Sequence, residues 1–256
     1  MRSSALTLLI VGVLSSCAYA QRPEASDPLA VTLATQSVAA VVGKAHITDV
    51  MLTGSATLNK KEVGDFKLMA SGAGESRLEV LSSSGTITVI RDAQTGVLVG
   101  AWRAPNNRAG KFPHHNCLTD SAWFFPALGS LAPAPAVVLT YIGTEVRNGT
   151  EVQHLHSSPR QVSSAQIPNA QTLGDMDFFL DATTLLPIAT TFNAHPDNDA
   201  STNLLVDIEF SEYHQMSGIM VPTHIQRYQQ GTLLLELFVT GASFNSGLPL
   251  SLFAAK

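Results

Sequence analysis

The chain is poor in cysteine and in charge. Its 256 residues include two cysteines, and charged residues make up 14 % of the sequence, with a net charge of −5. Nucleic-acid binding requires a basic patch or stripe, and no such cluster of Lys and Arg is present. We therefore predict no nucleic-acid partner. Cys117 is predicted to be a lone buried thiol, since Cys17 lies in a segment that is expected to be removed or acylated.

The sequence also lacks the short motifs of common catalytic sites. It contains no G-x-S-x-G elbow, no S-x-x-K motif and no H-E-x-x-H motif. His154 and His156 lie two residues apart on one face of a predicted strand, a spacing that can chelate a metal. Because Arg147 and Thr150 share that face, we interpret both histidines as solvated. No metal or cofactor is predicted.

Long apolar runs are absent except at the start of the chain. Ala5 to Leu14 is uninterrupted and apolar, and it follows the positive charge of Arg2. A stable membrane span needs about 20 residues, so this run is too short and is typical of a secretory signal sequence. The chain is therefore expected to be exported, with residues 1–20 as the signal peptide.

Two processing rules fit the end of this signal. Ala18-Tyr19-Ala20 is an A-x-A site that would leave Gln21 as the first residue. "LSSC" fits a bacterial lipobox ending before Cys17, which would then carry a lipid. The protein is expected in the periplasm or anchored by Cys17 to the outer membrane, and Cys17 would be its only membrane contact. Residues 21–27 are interpreted as a tether.

Residues 28–256 are predicted to form one domain. Asp27 before Pro28 is a good helix start, and valines at helical spacing predict a helix over 28–42. The period then changes to two, which predicts strands at 49–59, 65–81, 85–92 and 96–104. Residues 105–116 are predicted to form a loop.

The middle of the chain combines a helical stripe with a strong turn signal. Residues 118–132 are expected to form a short helix that carries Trp123 and Phe124 and is interrupted at Pro126. Asn148-Gly149 is the dipeptide of a type I′ turn, which predicts a hairpin that pairs Ile142 with Leu155 toward the core.

The last strands contain apolar residues on both faces. In "TLLLELFV", Leu235 and Leu237 share one face, while Leu234 and Phe238 lie on the other. Two apolar faces indicate a second buried surface, which is either a covering helix or a lipid-sized cavity. The predicted cavity residues, with the short aromatic helix as a candidate lid, are Trp123, Phe124, Phe125 and Phe238.

The C-terminal third resembles a known family. "MDFFLDATTLLPIATTF" and "VDIEFSEYHQMSGIMVPTHIQRYQQG" contain an Asp-turn-LP step and an F-x-x-Y-x-x-x-x-G-x-x-x-P phrase, formed here by Phe210, Tyr213, Gly218 and Pro222. These segments are similar to the periplasmic lipoprotein-carrier (lipoprotein-localisation) family of Gram-negative bacteria. The resemblance implies a mainly β fold, an incomplete antiparallel barrel covered by one or two short helices, with an apolar cavity for acyl chains.

The sequence is compatible with three functional hypotheses. The leading hypothesis is an exported, non-enzymatic carrier-like protein of the cell envelope that binds a lipid or the acyl chain of an envelope lipoprotein. The alternative is a lipid-anchored envelope scaffold or interaction protein with a packed core and no ligand. A metal-dependent enzyme that uses His154 and His156 is the least favoured hypothesis.

Overall fold

The computed structural model describes residues 25–94, 97–160 and 172–255. The predicted signal peptide, Cys17 and most of the predicted tether lie outside these residues. The described chain forms one antiparallel sheet and one α-helix, α1 (Pro28–Val42). Short 3₁₀ helices follow at His114–Cys117, Pro126–Leu128 and Leu250–Phe253.

The sheet contains 13 strands, numbered here in chain order. Their bounds are β1 (Asp49–Leu58), β2 (Lys61–Ser71), β3 (Glu75–Ser82), β4 (Gly85–Asp92), β5 (Val99–Ala104), β6 (Arg108–Phe112), β7 (Val137–Arg147), β8 (Thr150–Pro159), β9 (Met176–Asp181), β10 (Pro187–Ala194), β11 (Leu204–Met216), β12 (Ile219–Gln229) and β13 (Thr232–Phe244).

The strands form two meanders joined in the middle of the sheet. The spatial order is β6-β5-β4-β3-β2-β1-β13-β12-β11-β10-β9-β8-β7, so β1 pairs with β13 and joins the two meanders. The edge strands β6 and β7 do not pair with each other. The predicted incomplete antiparallel barrel is therefore confirmed as an open sheet.

Helix α1 begins and ends where the local sequence predicts. The Asp27 carboxylate accepts a hydrogen bond of 2.8 Å from the backbone N–H of Leu29, and the helix ends at Gly43, whose φ is +61°. Its buried face matches the predicted valine stripe in part: Val41 and Val42 are buried, together with the small residues Ala30, Ala34 and Ser37. Small side chains allow the helix to lie close to the sheet, where it contacts β7 and β12.

The face of the sheet that α1 covers is called the inner face, and the opposite face the outer face. The inner face and α1 share one apolar core. Its large buried side chains include Leu52, Phe66, Leu68, Leu155, Phe178, Leu180, Ile208, Phe210, Ile225 and Leu237. Within the described part of the chain, no helix has the length and hydropathy to cross a membrane.

The helix predicted over 118–132 is wrong. This segment consists of turns that lead into the short 3₁₀ helix at Pro126–Leu128. The Asp120 carboxylate accepts hydrogen bonds from the backbone N–H groups of Ala122 (2.8 Å) and Ser130 (2.6 Å). These bonds pull the chain into a closed loop, which competes with helical hydrogen bonding.

Two strand boundaries also differ from the prediction. The predicted strand at 65–81 is two strands, β2 and β3, which are joined by a tight turn at 72–74. The predicted loop at 105–116 contains β6, which pairs with β5 and extends one edge of the sheet. The sequence of β6, "RAGKF", has little β-branched or aromatic content, so its pairing depends on the neighbouring strand.

The predicted hairpin is present, but its register shifts away from the turn. Asn148 and Gly149 have φ values of +49° and +82°, as a type I′ turn requires. The predicted pairs next to the turn are confirmed, but an irregularity between Tyr141 and Gly143 leaves Leu155 opposite Tyr141. The predicted Ile142–Leu155 pair is therefore wrong, because the extra residue turns Ile142 outward, where it is 55 % exposed.

Candidate functional site

A cavity of about 330 Å³ opens on the inner face, between the two meanders. Strands from both halves of the sheet reach it, although they are far apart in the strand order. The sheet must therefore curve so that its two halves face each other across this space. Its apolar wall consists of Leu68, Leu78, Val89, Phe112, Trp123 and Phe192.

Arg91, from β4, lies on one wall of the cavity. Its guanidinium donates to the backbone oxygen of Thr119 at 3.2 Å and to the hydroxyl of Thr119 at 3.4 Å. Burial lowers the pKa of Arg91, while the charges of Cys117 and Asp120 oppose that change. Burial likewise raises the pKa of Asp120, against the hydrogen bonds from Ser130 and Ala122 and the charge of Arg91.

Arg227, from β12, lines the same cavity without an ion-pair partner among the described residues. Its Nε atom is buried and has no hydrogen-bond partner in the described part of the chain. The guanidinium carbon lies 5.9 Å from the centre of the Trp123 ring, at the outer limit of a cation–π contact. Burial and the positive charge of Arg91 lower the pKa of Arg227 to about 10, so it remains charged at neutral pH.

His195, which follows β10, adds an imidazole to the two guanidinium groups of the cavity. Its ring is 5 % exposed, and its Nδ1 donates to the backbone oxygen of Thr202 at 3.0 Å. Two hydrogen bonds with the Asn116 side chain, at 2.7 and 2.8 Å, fix the backbone of His195. The buried Nε2 atom has no hydrogen-bond partner. The cavity thus combines an apolar wall with two unpartnered buried nitrogen atoms.

The four aromatic residues predicted to line a cavity lie in three different environments. Trp123 lines the cavity described above. Phe124 and Phe125 are fully buried in the core. Phe238 lies on the outer face, is 41 % exposed, and stacks on His224 with 4.7 Å between ring centres.

His154 and His156 lie on the outer face and share one carboxylate. Asp177 Oδ1 is 3.2 Å from His154 Nε2 and 2.8 Å from His156 Nδ1. Burial alone would raise the pKa of Asp177, but the hydrogen bonds from both histidines lower it well below its usual value. In residues 25–94, 97–160 and 172–255, no set of three or more His, Cys, Asp or Glu side chains is placed to hold a metal ion.

A second depression, of about 580 Å³, lies between the C-terminal end of α1 and the β2–β3 turn. Val38, Val42, Ile47 and Leu128 form its apolar part. A binding site is expected to combine apolar walls with convergent polar groups. We therefore assign the candidate site to the smaller cavity, where Arg91, Arg227 and His195 meet.

None of these three polar residues is among the site residues predicted from the sequence. Arg91 and Arg227 follow Val89 and Ile225 at a spacing of two, so each occupies an inward position on its strand. A charged residue at an inward position of a strand is unusual, and it could have indicated a binding site. That the two arginines line one cavity depends on the curvature of the sheet, which the sequence does not express.

Three solved structures share the architecture of this chain. A domain provisionally named as an outer membrane lipoprotein-sorting protein, from Vibrio parahaemolyticus, has a TM-score of 0.54 at 15 % identity, covering 87 % of this chain and 95 % of that domain. A LolA superfamily protein from Nitrosomonas europaea has a TM-score of 0.54 at 9 % identity, covering 88 % of this chain and 97 % of that protein.

The third structure is a DUF1329 family protein from Desulfovibrio piger, with a TM-score of 0.52 at 12 % identity, covering 89 % of this chain and 96 % of that protein. No family model matches the sequence, and no curated protein matches it. At these identities the likeness concerns the fold. The resemblance to the lipoprotein carriers is therefore confirmed as a shared fold, that of an open, helix-covered antiparallel sheet.

Proposed function

We propose that this protein is an exported, non-enzymatic carrier-like protein that binds the acyl chain of a lipid or of an envelope lipoprotein. The observation that carries the proposal is the cavity between the two meanders, with its wall of six apolar side chains. Its volume of about 330 Å³ lies within the range of small-molecule sites. Burial of each methylene contributes roughly 0.8 kcal/mol, so an acyl chain gains affinity with length.

The shared fold supports the same proposal. The Vibrio parahaemolyticus domain is named for lipoprotein sorting, and a second similar structure belongs to the LolA superfamily. We extend a lipoprotein-related role to this chain and propose that it acts by binding acyl chains, with Trp123 as one wall of the site. The partners would be a hydrophobic ligand and envelope lipoproteins.

A fluorescent long-chain fatty acid tests the proposal on delipidated protein. We expect saturable uptake that an unlabelled fatty acid displaces. Val89→Phe would fill the cavity and abolish uptake, because Val89 is part of its wall. The matched control is Val99→Phe, which makes the same change at an exposed position of β5 and should bind normally.

Two results would contradict the proposal. Absence of saturable uptake by the unaltered protein would favour the ligand-free scaffold instead. Equal uptake by Val89→Phe and the unaltered protein would show that the fatty acid binds outside this cavity.

We also propose that export ends in one of the two predicted cleavages. Mass spectrometry of protein purified from its own membranes and periplasm reports the mature terminus. A lipid on Cys17, or a chain that begins at Gln21, supports export, and Cys17→Ser removes the lipid in the first case. A mature chain that still begins at Met1 would contradict it.

A further inference from the structure

We propose that the cavity selects amphiphiles with an anionic head group, which the guanidinium groups of Arg227 and Arg91 bind while the chain lies along the apolar wall. This inference rests on the proposed function and specifies the class of ligand. Two positive charges lie at the same cavity. Two cationic side chains line a space that is otherwise a mixture of apolar and mostly neutral polar side chains, and charges in such a space are costly unless they are compensated.

Arg227 provides the strongest support. A guanidinium has five N–H donors, and the buried Nε of Arg227 donates to no atom of the described residues. Its described ring contact is with Trp123, which offers a π face and no acceptor oxygen. A carboxylate or phosphate oxygen in the cavity would give the guanidinium of Arg227 an acceptor and an opposite charge, and the planar fork of arginine matches both groups.

His195 is the second, independent observation. It is nine-tenths buried, lines the same cavity, and leaves Nε2 without a partner. Because the oxygen of Thr202 only accepts, Nδ1 of His195 carries a hydrogen and Nε2 remains for a ligand. In the neutral ring this atom accepts from a hydroxyl, and in the protonated ring it donates to an anion. Either role requires a polar group inside the cavity.

The acidic residues nearby leave the arginine charges incompletely balanced. The Asp120 carboxylate interacts with the charge of Arg91, and it already accepts hydrogen bonds from the N–H groups of Ala122 and Ser130. Asp197 is exposed where it lines the cavity. Neither forms an ion pair with Arg227, so one guanidinium remains for an external anion.

Isothermal titration calorimetry with three probes tests the inference: dodecanoate, dodecanol and acetate. The first two share a chain and differ in charge, and acetate carries the charge without the chain. We expect the delipidated protein to bind dodecanoate at least about tenfold more tightly than dodecanol, since hydrogen bonds to charged groups exceed neutral ones. Acetate should bind at least about a hundredfold more weakly than dodecanoate, because it lacks the buried chain.

Variants at Arg227 test whether this residue causes the preference for dodecanoate over dodecanol. Arg227→Gln should reduce dodecanoate affinity about tenfold and leave dodecanol affinity within about twofold. Arg227→Lys, which keeps the charge, should retain part of the preference and guards against loss of fold as the cause. The matched control is Arg108→Gln on the exposed start of β6, which should bind all three probes normally.

The outcomes separate the inference from the proposed function. Equal affinity of the unaltered protein for dodecanoate and dodecanol overturns the inference and leaves acyl binding intact. Acetate binding as tight as dodecanoate overturns it too, in favour of a site for small free anions. Failure of both twelve-carbon probes to bind overturns the proposed function, and the inference with it.

Discussion

The guanidinium of Arg227 stands over the indole of Trp123, with 5.9 Å between the guanidinium carbon and the ring centre, and its buried Nε donates to no described atom. Packing rather than ion pairing therefore holds this charge in the cavity. A charge held in this way costs folding free energy, because its hydration is lost without full replacement. Arg227 is thus expected to reduce the stability of the unliganded protein.

Replacing Arg227 with Met tests this cost. We expect the free energy of unfolding of the delipidated protein to rise by about 1–2 kcal/mol, since a partly buried, unpaired charge is exchanged for an apolar chain of similar length. Urea unfolding of both proteins measures the change, with Arg108→Met as the exposed control. A loss of stability in Arg227→Met would mean that the folded protein already compensates the charge.

Gly129 leaves no room for a side chain beside Asp120. A Cβ atom at this position would lie 1.6 Å from Asp120 Oδ2, so Gly129→Ala must displace the carboxylate from the N–H of Ser130. We expect a loss of about 1–3 kcal/mol in unfolding free energy, from overpacking and the broken hydrogen bond. The expected shift is a lower urea midpoint.

Gly72→Ala is the matched control for that change. Its added Cβ would lie 3.4 Å from the nearest atom, Leu128 Cδ1, which is an ordinary contact. The midpoint of this variant should stay close to that of the unaltered protein. Equal midpoints for Gly129→Ala and Gly72→Ala would show that the loop around Asp120 rearranges without cost.

Asp177 makes stability depend on pH in the acid range. Its pKa in the folded protein lies below the ordinary value of 3.8, so the folded state favours the carboxylate and gains stability above that pH. Asp177→Asn should therefore lower the unfolding free energy by about 1 kcal/mol at neutral pH, a value reduced by partial exposure. The difference from the unaltered protein should shrink as the pH falls below 3.8.

Urea titrations at several pH values between neutral and acid measure this effect. Asp65→Asn is the control, because Asp65 lies at an exposed position of β2 with no described side-chain hydrogen bond. Its effect should be small and should not depend on pH in the same way. A constant difference for Asp177→Asn across the whole range would mean that the histidines do not stabilise the carboxylate.

Cys117 should be unreactive in the folded protein. The residue is 1 % exposed, and burial raises the pKa of its thiol, so the reactive thiolate is scarce. In a Cys17→Ser background, where Cys117 is the single thiol, we expect modification by a disulfide reagent to slow on the order of a hundredfold relative to urea-unfolded protein. Rapid modification without denaturant would place the thiol at the surface.

Elements with a local cause could be predicted from the sequence. Helix α1 depends on Asp27 and Pro28, which cap and start it, and the sharp hairpin turn depends on Asn148-Gly149. In β11, apolar residues alternate with polar ones, and the apolar residues Val206, Ile208 and Phe210 are the buried ones, as this pattern indicates. Each of these signals acts within a few residues. The local conformation it favours therefore does not depend on tertiary packing.

The features that failed depend on specific contacts that the periodicity of apolar residues does not reveal. The segment after Leu118 has a helical apolar stripe, but the bonds of Asp120 to Ala122 and Ser130 close it into a loop. Likewise, the outward turn of Ile142 follows from a register shift that the flanking strand imposes. The candidate cavity belongs to the same class, because it forms only when β4 and β12 face each other across a curved sheet.

The end strands β6 and β7 do not pair with each other, and this opening in the sheet bears on how wide we expect the cavity to open. In a closed barrel, a change of radius strains hydrogen bonds around the whole circumference. Here the two margins can move apart or together by a change in curvature, and all twelve strand ladders stay intact. We therefore expect the cavity to adapt to a larger ligand of the proposed class by a change in sheet curvature, without loss of strand pairing.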